Sequence, residues 1–463
     1  MDKVPCDPNL LENYKNEIMN SEIDTETKRR IICQIKIWTS LNENPPIQLI
    51  LESDIIQALL LYSEDELCDP KMQFDIVWIF GNICSCSSDE VKYMLTLGVD
   101  DFFIEHLENQ ITQIVELAMW GLGNIAGDNP KSRDVLLFKE IIPKLVKILN
   151  SVDQKKNLKE AFFQTFCWLI SQLVRGKPSA QPQHISEILP IFRELLFLNK
   201  RYLYPDILWG LSYITDEDET VANLISDSPI FDKLTELIDL SFGFTINHPS
   251  IRIIANLASS SENITDKLIN SGLIQHLIIH FLEYNPEYTI IRKEVCWCLS
   301  NIAAGTLQQA KSLITMGEMT EKLKRLLRYK KDPEVQKETM WIITNLSNHQ
   351  DSDIFKYLLG NDIFAVFTTE INQGDKKMIE LFLQNTTSLI KFLNKASKDT
   401  FTAQELEKLV LLLHYIQTTI QNIKPMIVTG QIRQQCKDIK DSIQKINKKF
   451  NLPQDLEQKV LKN

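Results

Sequence analysis

Tryptophan keeps time along this chain. After Trp38 the tryptophans fall at positions 78, 120, 168, 209, 297 and 341, with gaps of 42, 48, 41, 88 and 44 residues. The gap of 88 spans two periods, and Arg252 sits near its middle, where a unit lacks its Trp. A repeat of about 44 residues is too short to bury its own apolar face, so neighbouring units must stack and share one continuous core. The 463 residues are therefore an array of similar units, not three independent domains.

The text around each Trp repeats as well. Trp78-Ile-Phe-Gly-Asn82, Trp120-Gly-Leu-Gly-Asn124, Trp297-Cys-Leu-Ser-Asn301 and Trp341-Ile-Ile-Thr-Asn345 share Trp-x-x-x-Asn. At the same offset Trp168 has Gln172, Trp209 has Tyr213 and Arg252 has Asn256. Apolar residues around these motifs recur at helical spacing, with breaks near Gly98, Gly272, Gly317 and Gly360 where helices are expected to stop. Glycine is scarce, at 14, which disfavours a β-rich or Rossmann chain. The expected fold is an all-α superhelical solenoid, with a period inside the range of HEAT and armadillo repeats.

The expected organisation has three parts. Residues 1–44 are a flexible start, to about residue 26, plus one helix over 28–41. Residues 45–429 form about nine units. Residues 430–463 are a polar, Lys-rich tail, solvated and loosely helical, in which Ile439, Ile443 and Ile446 hint at a weak amphipathic stripe.

The net charge is −11, yet the segment 430–463 holds eight Lys/Arg against four Asp/Glu, so the acidity belongs to the body. An acidic body argues against direct nucleic-acid binding and for cationic ligands. Nine cysteines, with Cys84/Cys86 and Cys296/Cys298 spaced C-x-C, read as reduced thiols of an intracellular core. There is no apolar leader and no apolar run long enough to span a membrane, so a soluble protein of cytoplasm and nucleus, making no membrane contact, is expected.

Residues four apart share a helix face, so stacked units would set the Trp and Asn columns side by side as two ladders. The Asn carboxamide both donates and accepts, which suits the backbone of an extended peptide. Slots between successive indoles suit the stem of Lys or Arg, and the indole faces attract its cation by roughly 0.5–2 kcal/mol per contact. Asn buried at every unit purely for structure would each need a partner or cost about 1–3 kcal/mol.

These motifs resemble the importin-α family, armadillo-repeat adaptors for nuclear localisation signals, over roughly residues 44–359. Asn44-Pro45-Pro46-Ile47 resembles the opening of its first repeat, and Trp120 to Asp128 its second-repeat signature. Arg175-Gly-Lys-Pro178 follows the third repeat, Trp209-x-x-x-Tyr213-x-x-Asp216 resembles the fourth, and Arg252-x-x-x-Asn256 the Trp-less fifth. The resemblance implies a right-handed superhelix whose inner groove binds Lys/Arg-rich signals antiparallel to the array.

It also implies two sites. The major one would use Trp78, Asn82, Trp120, Asn124, Asp128, Trp168, Gln172, Trp209, Tyr213 and Asp216, with Asp128 pairing with the key lysine. The minor one would use Arg252, Asn256, Thr265, Glu294, Trp297, Ser300, Asn301, Glu338, Trp341 and Asn345. Glu294 and Glu338 each stand three residues before their Trp. Cys86 and Val91 replace a Gly and a Thr of the family's key lysine pocket, Gln172 lengthens an amide, and Leu117 replaces a glutamine. These departures predict a weakened major site and a relatively more important minor site.

The family begins with a basic importin-β-binding segment that doubles as an autoinhibitor. Before Asn44 this chain has six Lys/Arg against eight Asp/Glu, with one cluster, Lys28-Arg29-Arg30, for which a solvated helical face is the expected role. The partners implied are signal peptides of cargo proteins and, less directly, importin-β and an export receptor. Other chemistry is thin. His276 and His280 are i and i+4 with no third ligand near in sequence, and there is no Walker loop or G-x-S-x-G, so no metal, cofactor or catalytic site is expected. Two readings stand: a divergent import adaptor, and an armadillo scaffold that holds or sequesters signals without importin-β.

Overall fold

Helix starts are written locally in this chain. Asp69 accepts from the N–H groups of Lys71 and Met72, and Pro70 takes the first helical position, which starts the helix Pro70–Cys84. Asn129 with Pro130 and Ser228 with Pro229 repeat the device for Pro130–Phe138 and Pro229–Leu237. Capping boxes at Ser87/Glu90, Thr306/Gln309 and Thr402/Glu405 open three more helices. In the computed structural model, residues 5–151, 159–216, 219–283 and 288–452 are described; among them the secondary structure is helical, with no strand.

A full unit has three helices, as in Ser88–Thr96, Val99–His106 and Thr112–Asp128. The turn between the first two runs through one left-handed residue, which recurs at Asp54, Gly98, Glu140, Gly272, Glu318 and Asp362 with φ from 55° to 79°. Glycine is the unstrained choice there, and Gly98 and Gly272 supply it. The breaks expected near Gly317 and Gly360 instead turn at Glu318 and Asp362, and Gly360 closes the helix Ser352–Gly360.

The array divides into two compact units, Met1–Glu217 and Asp218–Asn463, where the sequence suggested one block over 45–429. In the first, the long helices Thr25–Thr39, Pro70–Cys84, Thr112–Asp128, Glu160–Gln172 and Tyr204–Ile214 pack side by side in chain order. In the second, Phe244–Leu257, Thr289–Ala304, Pro333–Asn348 and Lys376–Lys395 do the same. The long helices turn apolar residues such as Ile76, Phe80, Leu122 and Ile302 fully inward; Trp78, Trp120, Trp168, Trp209, Trp297 and Trp341 are half-buried, whereas Trp38 is buried.

Both ends depart from expectation. Residues 8–19, read as flexible, form the helix Pro8–Met19, capped by Asp7. Leu11 and Ile18 are buried, and Tyr14 stacks on Trp38 with ring centroids 5.9 Å apart. The tail is likewise no solvated end: Gly430–Phe450 packs on Lys376–Lys395 and buries Ile432, Ile439, Ile443, Ile446 and Phe450. That helix is the cap of the second unit; residues 453–463 of the expected tail lie outside the described residues. The polar composition of both segments hid a complete apolar stripe at helical spacing.

Candidate functional site

In the first unit the Trp120 and Trp168 indoles each lie across the preceding long helix. A Cβ on Gly81 would stand 2.5 Å from the Trp120 ring, and one on Gly123 would stand 2.2 Å from the Trp168 ring. These glycines sit one residue before the Asn in Trp-x-x-Gly-Asn. They are the close-approach positions that let the next indole lie flat, a role the sequence reading did not assign. A Gly123→Ala exchange should gain about 1 kcal/mol in helix propensity. It would lose more by pushing the Trp168 ring aside, since overpacking costs about 1–3 kcal/mol. We therefore expect a net destabilisation of about 1–2 kcal/mol in urea melts; stability equal to or above that of the unaltered chain would refute this role for Gly123.

The Asn column has a structural function that was not anticipated. Asn124 Nδ2 donates to Gly81 O at 3.2 Å, Asn301 Nδ2 to Ala255 O at 3.3 Å and Asn345 Nδ2 to Ser300 O at 3.0 Å. Each Asn thus ties its helix to a carbonyl of the previous one. The donor of each amide is engaged, and the oxygen remains to accept from an external N–H.

The predicted major-site residues all lie in the first unit, and their surroundings differ rung by rung. At the first rung Trp78 Nε1 and Asn82 Nδ2 both donate to Ser40 Oγ, at 2.9 and 3.1 Å. The Trp78 and Trp120 centroids are only 6.3 Å apart. A methylene stem touching both rings needs about 7–8 Å, so no slot opens between these two indoles. The next position is open. A cavity of about 230 Å³ is lined by Cys86, Val91, Asn124, Asp128, Trp168 and Arg175, among others. Asp128 accepts from Ser88 Oγ, from Asn129 Nδ2 at 2.6 Å and from Ser132 Oγ at 3.3 Å. It makes no ion pair among the described residues. Val91 is fully buried and apolar, so no hydroxyl lines the cavity at that position.

Gln172 is buried beneath Arg175, whose Nη1 donates to Gln172 Oε1 at 3.2 Å. The loop carrying Arg175 is held from below by the fully buried Arg133, which donates to Arg175 O and Pro178 O, both at 2.9 Å. Lys177 on that loop pairs with Asp216 at 2.7 Å. Trp209 stacks on Tyr213 with centroids 6.0 Å apart. Three residues before Trp209, Asp206 occupies the position that Glu294 and Glu338 take before theirs. It has no ion-pair partner among the described residues, and burial pushes its carboxyl up to about 6. The sequence reading missed Asp206, although the offset of three was visible.

In the second unit Arg252 pairs with Glu294 at 2.9 Å and lies over the Trp297 ring at 5.1 Å, so the chain's own guanidinium covers this position. Lys377 Nζ stands 5.2 Å from the Trp341 ring centroid. Glu338 is half-buried, and burial raises its carboxyl above the usual range despite Lys293. Asn256 is buried. Ser300 is buried with its hydroxyl on Trp297 O, and its carbonyl holds Asn345. Thr265 is not brought to the ladder surface: it is buried, and its hydroxyl faces Ala258 O and Ser261 O. All nine cysteines are free, and no helix among the described residues is long and apolar enough to cross a membrane.

Three-helix repeats of this period, with long helices side by side within each compact unit, define an armadillo-repeat protein. The crystal structure of an engineered protein superposes with a TM-score of 0.76 at 16% identity, covering 95% of this chain and 99% of the other. No family profile matches the chain. Among curated proteins it is a divergent relative of the importin α subunits. Importin subunit alpha-1b of Oryza sativa subsp. japonica is 26% identical over 274 residues, 59% of this chain and 50% of that protein. The probable importin subunit alpha-A of Dictyostelium discoideum is 28% identical over 276 residues, 54% and 49% of the two chains. The chain thus spans about half the length of the curated relatives it matches.

Proposed function

We propose that this protein is an importin-α-like adaptor that binds Lys/Arg-rich nuclear localisation signals, in extended form, along its Trp and Asn ladder. The observation that carries the reading is the Asp128 cavity. It offers a carboxylate held by neutral donors, an indole wall from Trp168 and the Asn124 carboxamide, with Arg175 also on its lining. A lysine side chain fits that chemistry: its stem on the indole, its ammonium on Asp128 and its backbone N–H on Asn124. Asp206, three residues before Trp209, supplies a second carboxylate that makes no ion pair among the described residues. In the second unit the cations Arg252 and Lys377 already stand on Trp297 and Trp341, whereas in the first Lys36 stands on Trp78 and the Asp128 cavity lies beyond it, so the first unit is the stronger receptor in this reading. The protein acts as a binding module between cytoplasm and nucleus, without a cofactor and without direct contact to nucleic acid or membrane.

A second reading, an armadillo scaffold that holds signals without importin-β, draws on the N-terminal cluster. Lys28 is buried over Tyr62 at 4.7 Å, and Arg29 pairs with Asp69, so these cations serve the fold. Affinity capture with the full chain from a cell extract separates the two. The adaptor reading predicts importin-β or an export receptor among the captured proteins. Capture of basic proteins with neither transport factor, at low and physiological salt, would favour the scaffold instead.

A further inference from the structure

The first rung of the ladder is satisfied from within the chain. Lys36, on the helix Thr25–Thr39, places Nζ 5.1 Å from the Trp78 ring centroid, 4.9 Å from that of Phe74 and 2.5 Å from Asp75 Oδ1. Asp75 stands three residues before Trp78, and its carboxylate is nearly buried, with 7% side-chain exposure. Ser40, one turn after Lys36, takes the indole N–H and the Asn82 amide. Indole face, carboxylate, indole N–H and amide donor are thereby all engaged, and the Trp120 ring closes the far side of Trp78. The carboxylate position differs at the later rungs: Leu117 stands three residues before Trp120 and Thr165 before Trp168, while Asp206 before Trp209 makes no ion pair among the described residues.

We propose that Lys36 is a specificity-determining residue, a cation supplied by the chain itself that fills the Trp78 rung and confines recognition in the first unit to the Asp128 cavity and the rungs beyond it. The inference rests on the reading of the ladder as a receptor for Lys/Arg-rich segments. An intramolecular ammonium competes at the high effective concentration of a tethered group, so a ligand lysine cannot displace it at ordinary concentrations. Withdrawing Lys36 leaves a buried carboxylate in want of a cation, beside an indole face and an amide. That is the chemistry that receives a ligand Lys or Arg.

The test uses the full chain and a synthetic peptide bearing one run of Lys/Arg residues between alanine flanks, together with versions in which each basic residue is replaced by alanine. Affinities are read by fluorescence anisotropy for the unaltered chain and for Lys36→Met, Lys36→Arg and Lys36→Met with Asp75→Asn, all checked for folding by thermal melting. Lys36→Met should tighten the parent peptide about five- to tenfold, the scale of one added cation–indole contact. It should also make one more peptide position sensitive to alanine. Lys36→Arg should match the unaltered chain, and the double variant should lose the gain. An unchanged pattern of sensitive positions in Lys36→Met would overturn the proposal, as would equal shifts in Lys36→Met and Lys36→Arg. If the unaltered chain and Asp128→Lys bind the parent peptide alike, the ladder reading has failed, and this inference with it. If Asp128→Lys loses binding while Lys36→Met matches the unaltered chain, only the inference has failed.

Discussion

Replacing Asp128 by lysine is expected to abolish measurable binding of a Lys/Arg-rich peptide to the first unit, a loss of at least about a hundredfold. The cavity presents one carboxylate, and its neighbours Ser88, Asn129 and Ser132 are neutral donors that hold it without satisfying its charge. An inserted ammonium would both remove the partner of the incoming lysine and repel it. Close charge pairs of this kind contribute about 2–5 kcal/mol when one member is removed, and a hundredfold is about 2.7 kcal/mol. Asp128→Asn keeps the shape but only one acceptor oxygen, enough for Asn129 and Ser132 while its amide N–H turns to the Ser88 hydroxyl, and should lose about tenfold. Anisotropy titrations at low and physiological salt give both numbers. Affinity in Asp128→Lys within threefold of the unaltered chain would remove this residue from the site.

Asp206→Asn should make the free protein more stable and a poorer receptor. Burial without a cation raises the Asp206 carboxyl from about 3.8 to about 6. Between those values the folded state holds a proton that the unfolded state has released, so stability falls as pH rises. The penalty is absent below about pH 4 and complete above about pH 6. Partial exposure weakens it, leaving on the order of 1–2 kcal/mol. Asp206→Asn should therefore melt higher than the unaltered chain at pH 7.5 and alongside it at pH 4. Peptide binding moves oppositely, because an incoming cation needs the ionised carboxylate. Affinity of the unaltered chain should rise between about pH 5 and 7, and Asp206→Asn should flatten that rise and bind several-fold more weakly at pH 7.5. A variant that melts lower at pH 7.5, or keeps the full pH dependence of binding, would place Asp206 outside the receptor surface.

The periodic part of the fold was legible because Trp recurs at one position of the long helix in most units, with Arg252 in its place in one. The same helices fixed Asn124, Asn301 and Asn345, half-buried residues whose amides turned out to join neighbouring helices. Asp206 was legible and missed, since it repeats the offset of Glu294 and Glu338 before Trp. The caps at both ends were legible in part: Leu11, Tyr14 and Ile18 keep helical spacing, as do Ile432, Ile439, Ile443 and Ile446, but abundant charge between them masked the stripe. What sequence could not yield is the chain's own cations on the ladder. Lys36 reaches Asp75 across 39 residues, and Arg252 reaches Glu294 across 42, contacts that exist only once adjacent units are stacked. The expectation that the later site is relatively more important rested on motif fidelity, and in the proposed reading the cations on Trp297 and Trp341 weigh against it.

The central claim is that the ladder receives lysine and arginine at the open carboxylates of the first unit. Calorimetric titration of the unaltered full chain with a Lys/Arg-rich peptide, beside the same peptide with every basic residue changed to alanine, tests it most directly. Saturable binding of the basic peptide alone is expected, weakening as salt rises from about 50 to about 300 mM because the contact is electrostatic. No heat with the basic peptide, or equal affinity for the two peptides, would contradict it.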